Sequence, residues 1–391
     1  MQKLLFILIT ALAVSVHAQT NETPNVSLIS PVNWQVFQRQ TKDAGIIVVE
    51  GMLATSTNDA VKPDKLEARF TGKSLDGDLP GNWQPLPLNL RIPHFRAAFQ
   101  TPAGGWYRLE IRLSGGGQTI FETNVEHVGV GEIFVIAGQS NSANHGEVKQ
   151  KPESPLVVAF GNGRWQPAGD PEPGASGKKG SFMPAFGDAM VEKFKVPVGI
   201  VAIGEGSTSV REWLPKDDAM AVPPTTGRNT IITGSNSWVS AGALFDRITD
   251  AENYFGPDGF RALLWHQGES DSHQPPANEI TPAQYRQYLQ RVIEASRAAA
   301  GWRVPWFVAE VSYHSPTDTS TPELRAAQKS VVTDGLAFAG PDTDALGPEF
   351  REKNGKGIHF NALGLRRHAE LWVECVAPWL EQQLELRSEG R

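Results

Sequence analysis

The stretch VIAGQSNSANHG, Val135–Gly146, contains an apolar run that stops abruptly at a glycine, a glutamine, a serine and an asparagine. A short apolar run that ends in this way is typical of a buried strand whose last residues reach the edge of a sheet. The hydroxyl group of Ser140 would then lie at that edge, where nucleophilic side chains are often found. A serine in an ordinary turn has the same local pattern, so a function depends on whether the rest of the chain supplies a base and an oxyanion hole.

From Gly131 onward, apolar runs alternate with helical patterns. The apolar runs are EIFVIAG, VGIVAIG, FRALLWHQ, VPWFVAEV and GLAFAG, and the helical patterns lie near Pro184–Lys195, Thr281–Ala300, Pro322–Thr333 and from about Ala362. Continuous apolar strands separated by helices indicate a parallel sheet that is covered on both faces. Five such strands predict an α/β fold with a flavodoxin-like doubly wound parallel sheet over residues 131–386, in which ligands bind outside the carboxyl ends of the strands.

The region before Gly131 has a different rhythm. In GGWYRLEIRLSGGG, four apolar residues alternate with charged ones: Tyr107, Leu109, Ile111 and Leu113. This alternation predicts a half-buried strand between turns, and GIIVVEGML and FRAAFQTP have a similar pattern. We therefore expect a small Ig-like β-sandwich domain over residues 25–130.

The first residues, MQKLLFILITALAVSVHAQT, combine Lys3, a short apolar run and a small residue, Ala18, at the expected cleavage point. This combination predicts a signal peptide over residues 1–18 and hence a secreted or periplasmic protein. The apolar run is shorter than the about 20 residues that a membrane span requires, and no later run has that length. No association with a membrane is therefore expected.

The composition narrows the classes of partner. The formal net charge is −7, and no cluster of lysine and arginine is present, so we expect no nucleic-acid partner. Cys375 is the single cysteine of the sequence, which excludes an internal disulfide. Stability must therefore come from burial of apolar surface.

Four polar segments stand at the ends of predicted strands or before the last helix. They are GQSN (Gly138–Asn141), GEGSTSVREW (Gly204–Trp213), HQGESDSH (His266–His273) and GKGIHFN (Gly355–Asn361). The carboxyl ends of parallel strands meet at one edge of a sheet, so these segments should converge there. Each segment alone would be an ordinary loop, but their convergence indicates a functional site.

These segments resemble the SGNH hydrolases, and within them the sialate O-acetylesterase-like carbohydrate acetylesterases. The resemblance extends from about Gly131 to the end of the last helix and is carried by AGQSN, HQGESD and GIHF. It implies a serine esterase with Ser140 as nucleophile, His359 as base and Gln267 in the third block, where other SGNH enzymes use asparagine. It also implies an acetylated glycan as substrate, either a polysaccharide or sialic acid, and no cofactor.

Acyl transfer needs a hydroxyl activated by an imidazole and donors directed at the oxyanion, each worth about 10²–10³ in rate. We expect these donors to be the N–H of Ser140, the N–H of Gly206 or Ser207 and the side-chain amide of Gln267. The second block reads Gly-Ser-Thr-Ser-Val here, whereas relatives usually read Gly-Gly-Thr-Ser-Ile. A serine at position 207 keeps its N–H but tolerates a positive φ poorly.

The acid of the triad departs from the family pattern. SGNH enzymes usually place an aspartate three residues before the histidine, and Lys356 occupies that position here. Three groups can replace it: Glu269, a backbone carbonyl, or one of Asp342 and Asp344. Glu269 follows Gln267 closely, so it is the first candidate, although it can equally serve only to brace its loop. Without any such partner, the chain would be a pseudoenzyme.

Two other classes of protein compete with the esterase. A non-catalytic glycan-binding protein of the same fold would use some of the 11 tryptophans, although Trp213 and Trp265 adjoin strand ends and are expected to pack. A metallohydrolase would use the ligand types in the third segment, which are His266, Glu269, Asp271 and His273. Their order matches no spacing that a metal site requires.

Overall fold

The computed structural model describes residues 25–54, 61–224 and 226–389 of the 391-residue chain. The predicted signal peptide, residues 1–18, lies outside the described residues. The N-terminal strands are β1 (Asn25–Ser30), β2 (Gln35–Gln38), β3 (Ala44–Ala54), β4 (Lys65–Ser74), β5 (Gly77–Asp78), β6 (Gln84–Pro85), β7 (His94–Pro102), β8 (Gly104–Gly115) and β9 (Gln118–Gly138).

The elements that follow form an α/β arrangement. The strands are β10 (Val157–Gly161), β11 (Arg164–Pro167), β12 (Val198–Ala202), β13 (Ala219–Met220), β14 (Thr230–Gly234), β15 (Ser237–Ser240), β16 (Ala262–His266), β17 (Trp306–Glu310) and β18 (Phe338–Asp342). The helices are α1 (Met183–Phe194), α2 (Ala243–Phe255), α3 (Glu269–Ser272), α4 (Pro282–Ala300), α5 (Pro322–Thr333), α6 (Glu352–Gly355) and α7 (Ala362–Glu389). None of the helices in the described ranges is long and apolar enough to cross a membrane.

The N-terminal region consists of two β layers around one apolar core. β1, β3 and β7 form one antiparallel sheet, while β4, β8 and the first part of β9 pair antiparallel in the other layer. Val49 from the first layer and Leu109 and Ile111 from the second are fully buried in the same core. The alternation predicted for residues 107–113 is confirmed, because its apolar members are buried and its charged members are not.

Strand β9 is 21 residues long and belongs to both parts of the chain. Its first part pairs with β8, while Glu132–Gly138 pairs in parallel with β12 on one side and β16 on the other. The burial pattern changes along the strand from alternating to continuous, as expected when a strand passes from a half-exposed sheet to one covered on both faces. The expected boundary between residues 130 and 131 therefore falls inside one unbroken strand.

A buried carboxylate reinforces this junction. Glu132 is fully buried and pairs with Arg39 at 2.5 Å and with Arg261 at 2.6 Å, and Gln38 Nε2 donates to it at 2.8 Å. Burial alone would raise the pKa of Glu132, but the two guanidinium groups outweigh burial and lower it. The carboxylate thus stays ionised and joins β2, β9 and the segment before β16.

The large sheet is mixed, with a long parallel part. Its order is β11-β10-β12-β9-β16-β17-β18, and only β11 in this series is antiparallel to its neighbour. α1 and α7 pack on one face, and α2, α4 and α5 pack on the other. The five strands and four helices predicted after Gly131 are all present, whereas β10, β11, α2 and the small sheet of β13–β15 were not predicted.

Candidate active site

The four polar segments meet at the carboxyl ends of β9, β12 and β16. The N–H of Gln139 donates to His266 O at 2.9 Å, and the N–H of Glu205 donates to Gly138 O at 2.9 Å. Asn141 Nδ2 donates to the backbone oxygen of Ile358 at 3.3 Å, and Ile358 directly precedes His359. The segments therefore form one continuous site.

Gly138 ends β9 where the strand lies closest to its neighbour. Its φ is 124°, and a Cβ atom on this residue would lie 2.1 Å from His266 O. Only glycine can adopt this backbone without strain and leave room for that carbonyl oxygen. This close approach lets the chain turn sharply and places Ser140 directly beyond the end of the sheet.

Ser140 begins a single 3₁₀ turn, Ser140–Ser142, and is 5% exposed. Within the described part of the chain, neither its Oγ atom nor its backbone N–H has a hydrogen-bond partner. The hydroxyl is therefore available for reaction and the N–H is available to a developing oxyanion. Catalytic hydrogen bonds are often long in free enzymes and tighten when substrate binds.

The carboxylate beside His359 is Glu352. The Nδ1 atom of His359 lies 2.9 Å from Glu352 Oε1, and Glu352 is 3% exposed. The expectation that Glu269 is the partner of His359 is therefore corrected, because Glu269 is bonded elsewhere. The two other carboxylates considered from the sequence are also bonded elsewhere: Asp342 pairs with Arg325, and Asp344 accepts from Ser312 and Tyr313.

The local backbone explains how a residue seven positions before His359 reaches its ring. Arg351 and Phe360 form an isolated antiparallel bridge, and the N–H of Glu352 donates to His359 O at 2.8 Å. The turn between them is built from left-handed residues, since φ is 55° at both Lys353 and Asn354 and 82° at Gly355. The asparagine and glycines of KNGKG were the signal in the sequence for such a turn.

Lys356, at the position where SGNH enzymes usually have an aspartate, is not the residue that bonds to His359. Lys356 is exposed, and its N–H lies in the turn that returns the chain from Glu352 to His359. His359 therefore still has a carboxylate partner, but that carboxylate comes from Glu352, which lies before the turn, and not from position 356.

Opposing effects act on the pKa of His359. Burial lowers it most, the hydrogen bond and charge of Glu352 raise it, and the charges of Lys179 and Lys353 lower it. The net pKa is below the ordinary value for histidine. His359 is consequently neutral at physiological pH and can accept a proton as a general base.

Glu269 stabilises the site through a hydrogen bond with Asn141. Its Oε1 atom accepts from Asn141 Nδ2 at 2.9 Å, and Oε2 has no hydrogen-bond partner among the described residues. Burial raises the pKa of Glu269 to about 7. Because Asn141 also donates to Ile358 O, Glu269 holds the Ser140 turn against the His359 segment.

The side-chain amide of Gln267 is engaged inside the protein. Gln267 is fully buried, and its Nε2 atom lies 2.7 Å from Asp271 Oδ2 and 3.0 Å from Thr208 O, while Tyr285 donates to its Oε1 atom. Both donors of this amide therefore have acceptors. In this structure Gln267 connects the second and third segments instead of presenting the oxyanion donor expected from the sequence.

The two backbone amides expected in the second block differ. The N–H of Gly206 donates to Ser176 Oγ at 2.7 Å, so it is occupied. Ser207 is exposed, and its N–H has no acceptor within the described ranges. Of the two, Ser207 is therefore the amide that is open to a ligand.

Ser207 has a φ of 63°, so this turn requires the left-handed backbone that the glycine of relatives would adopt freely. We expect Ser207→Gly to retain turnover, and Ser207→Val to lose about 1–2 kcal/mol of unfolding free energy together with turnover. Denaturant unfolding and steady-state kinetics of the two variants measure both effects. Unchanged stability and turnover in Ser207→Val would show that this backbone is not constrained.

One polar residue of the site was not anticipated from the sequence. The ring of His145 lies 5.4 Å from the ring of His359, measured between centroids. His145 lies in NSANHG, five residues after Ser140, and this closeness in sequence was the one indication of a place in the site. The sequence did not show that the chain after Ser140 turns back towards His359.

The structure shows the surroundings of the residues that a glycan-binding protein or a metallohydrolase would use. Trp213 and Trp265 are fully buried and contact each other edge to face at 5.3 Å, which confirms that they pack. Three of the ligand types of the third segment have protein partners outside that set: His266 contacts Thr343, Asp271 accepts from Ser209, and His273 contacts Asp318. In the described residues, these side chains form no cluster that could hold a metal ion.

Comparison with known families identifies the family of the chain. The family model described as carbohydrate esterase, sialic acid-specific acetylesterase, matches residues 130–370, a range that includes all four polar segments. The chain belongs to this family. As a carbohydrate acetylesterase it is a carboxylic ester hydrolase, and the resemblance inferred from AGQSN, HQGESD and GIHF is confirmed. Comparison of the sequence with curated proteins gives no match.

The solved structures that match this chain include a carbohydrate acetylesterase. One from Xanthomonas citri is 16% identical, with a TM-score of 0.53, over 90% of this chain and 74% of that chain. A protein from Arabidopsis thaliana is 18% identical over 64% of this chain and 98% of that chain, with a TM-score of 0.42. A carbohydrate esterase family 2 enzyme from Corynascus thermopiles is 13% identical over 91% of this chain and 100% of that chain, with a TM-score of 0.37.

Proposed function

We propose that this acetylesterase is a secreted or periplasmic serine esterase that removes O-acetyl groups from a polysaccharide or from sialic acid. The observation that carries the proposal is the contact of 2.9 Å between His359 Nδ1 and Glu352 Oε1, in a segment that Asn141 of the Ser140 turn contacts through Ile358 O at 3.3 Å. A serine, a histidine and a carboxylate in these roles form the arrangement that activates a hydroxyl group for acyl transfer.

In the first half of the reaction, Ser140 Oγ attacks the acetyl carbonyl carbon and its proton passes to His359 Nε2. Glu352 holds Nδ1–H and stabilises the imidazolium that forms. The negative charge that develops on the carbonyl oxygen is placed near the N–H groups of Ser140 and Ser207. The bond between the acetyl carbon and the sugar oxygen then breaks, and His359 returns its proton to that oxygen.

In the second half, a water molecule attacks the acetylated Ser140 and gives a proton to His359. The bond between the acetyl carbon and Ser140 Oγ breaks, and the proton returns to Oγ. Acetic acid leaves and loses its remaining proton to water as acetate, and the serine and histidine are restored.

The finer fold assignment accompanies this proposal. The five strands predicted after Gly131 are, in chain order, β9, β12, β16, β17 and β18. Across the sheet their order is β12-β9-β16-β17-β18, which corresponds to the strand order 2-1-3-4-5. This order supports the flavodoxin-like, doubly wound description, with β10 and β11 added at one edge. The two packed β layers before it support an Ig-like β-sandwich.

The direct test is release of acetate from a panel of acetylated xylan, acetylated pectin and O-acetylated sialic acid, with Ser140→Ala as the control. We expect at least one of these substrates to lose acetate in a manner that depends on Ser140. A protein that binds a glycan of the panel without releasing acetate would instead be a pseudoenzyme.

The short acyl group has a testable consequence. Ser140 is surrounded by polar segments, with Gln139, Asn141 and His145 close along the chain, whereas a long acyl chain requires an apolar channel. We therefore expect 4-nitrophenyl acetate to be hydrolysed with a higher kcat/KM than 4-nitrophenyl butyrate or longer esters. Preference for long-chain esters would contradict a carbohydrate acetylesterase site.

A further inference from the structure

His145 is a second imidazole in the site and has no role in the acyl transfer just described. Its ring centroid lies 5.4 Å from that of His359, and the two ring planes are inclined by 31°. The residue is half-buried, and its Nε2 atom lies 3.3 Å from Ser176 Oγ.

The surroundings of His145 fix its ring. A Cβ atom at Gly206 would lie 2.6 Å from His145 Nε2, and a Cβ atom at Gly177 would lie 2.9 Å from Cδ2. Both glycines thus make room for the imidazole. A side chain confined in this way is preorganised and loses little conformational entropy when it binds a ligand.

The hydrogen bonds of Ser176 are compatible with the tautomer in which His145 carries its proton on Nδ1. Ser176 Oγ accepts from the N–H of Gly206 at 2.7 Å, so its own hydrogen is free to point to His145 Nε2. A neutral imidazole that accepts at Nε2 carries its hydrogen on Nδ1. Among the described residues Nδ1 has no hydrogen-bond partner, so in this tautomer the ring has one unused donor.

The charges around His145 favour this neutral form. Burial lowers the pKa of His145 most, and the charge of His359 lowers it further. Lys179 also lowers this pKa, whereas Glu205 and Glu352 raise it, and the net pKa is below the ordinary value for histidine. A neutral His145 lets His359 become an imidazolium during the reaction without a second positive charge beside it.

The position of the leaving group follows from the chemistry at His359. Because His359 Nε2 must give its proton to the sugar oxygen, that oxygen has to lie within about 3 Å of Nε2. The ring of His145, next to that of His359, is then within reach of the hydroxyl groups on the neighbouring carbons of the same sugar.

We propose that His145 is a substrate-binding residue whose Nδ1–H donates a hydrogen bond to a free hydroxyl group next to the acetylated position of the sugar. This inference rests on the proposed function and deepens it, since it selects esters of sugars with a free neighbouring hydroxyl over simple acetate esters.

The test compares His145→Ala on two substrates: the glycan of the panel that releases most acetate, and 4-nitrophenyl acetate, which has no sugar hydroxyl. We expect kcat/KM for the glycan to fall about tenfold, mainly through KM, as for loss of one hydrogen bond, and kcat/KM for the aryl ester to change less than threefold. His145→Asn, whose amide can replace the Nδ1 donor, should retain more of the activity on the glycan. His94→Ala, which removes an exposed histidine of the N-terminal region, is the matched control.

Equal losses on both substrates, or no loss on the glycan, would overturn the role of His145 and leave the esterase intact. If His145→Ala does not fold, the same ratio measured for His145→Phe, which keeps a ring but has no hydrogen-bond donor, decides the question, because a ratio of one in that variant overturns the proposal. Failure of the proposed function has a different signature: wild-type protein would release no acetate, and no hydrolysis would depend on Ser140.

Discussion

Replacement of Ser140 by alanine, of His359 by alanine, or of both together is expected to lower kcat to the same low level. The two residues act in one step, so removal of either abolishes the activated nucleophile, and the second change then has little left to remove. In enzymes with this arrangement, each single loss is on the order of 10⁶ in turnover. The measurement is kcat for release of acetate by the two single variants and the double variant.

A serine outside the site provides the control for this series. Ser237 lies exposed at the start of β15, so Ser237→Ala should retain wild-type turnover. If the losses of the two single variants multiplied in the double variant, Ser140 and His359 would act independently and the proposed mechanism would be wrong.

Glu352→Gln is expected to lower turnover by about 10⁴, as does amidation of the acid in a serine protease triad. The amide keeps the shape of the side chain but removes the charge that stabilises the imidazolium of His359. In the structure, Glu352 Oε1 is the carboxylate atom within hydrogen-bond distance of His359 Nδ1. Single-turnover or steady-state measurement of acetate release gives the size of the effect.

The pH profile gives a second and independent readout for Glu352. The hydrogen bond and charge of Glu352 raise the pKa of His359, so their removal must lower that pKa further. His359 has to be neutral to act as a base, and the acidic limb of the profile reports its protonation. In Glu352→Gln this limb should therefore move to lower pH.

Glu269→Gln is the matched control, since it makes the same chemical change in another buried glutamate of the site. Glu269 contacts Asn141 and not His359, so its amide should reduce turnover much less and leave the acidic limb in place. A profile that moves in Glu269→Gln but stays fixed in Glu352→Gln would reverse the two assignments.

The parts of the structure that depend on local patterns could be predicted from the sequence. The helix Pro322–Thr333 has the predicted bounds, and α4 begins one residue after the predicted start, because proline after threonine marks the N-terminus of each. The residues of GQSN and HQGESD also converge at the sheet edge, because the end of a strand fixes the position of the residues that follow it.

The partner of His359 depended on geometry that the pattern does not reveal. Glu352 reaches the ring only because Lys353, Asn354 and Gly355 adopt left-handed backbone in succession, and a non-glycine residue does so only when its surroundings require it. Gln267 shows the same limit, since its amide could face either the substrate or Asp271, and only the packed structure shows that it donates to Asp271.

The unbroken strand β9 has a mechanical consequence. Chains with two parts usually join them by an exposed linker, and motion of one part relative to the other is then the default. Here the backbone that closes the N-terminal β layers continues as one strand, paired with β8 along its first part and with β12 and β16 along its last part, to Gly138 at the edge of the site. A hinge needs residues whose φ and ψ can change, and pairing with neighbouring strands restricts both angles. We therefore expect the N-terminal β layers to keep a constant separation from Ser140 throughout the reaction.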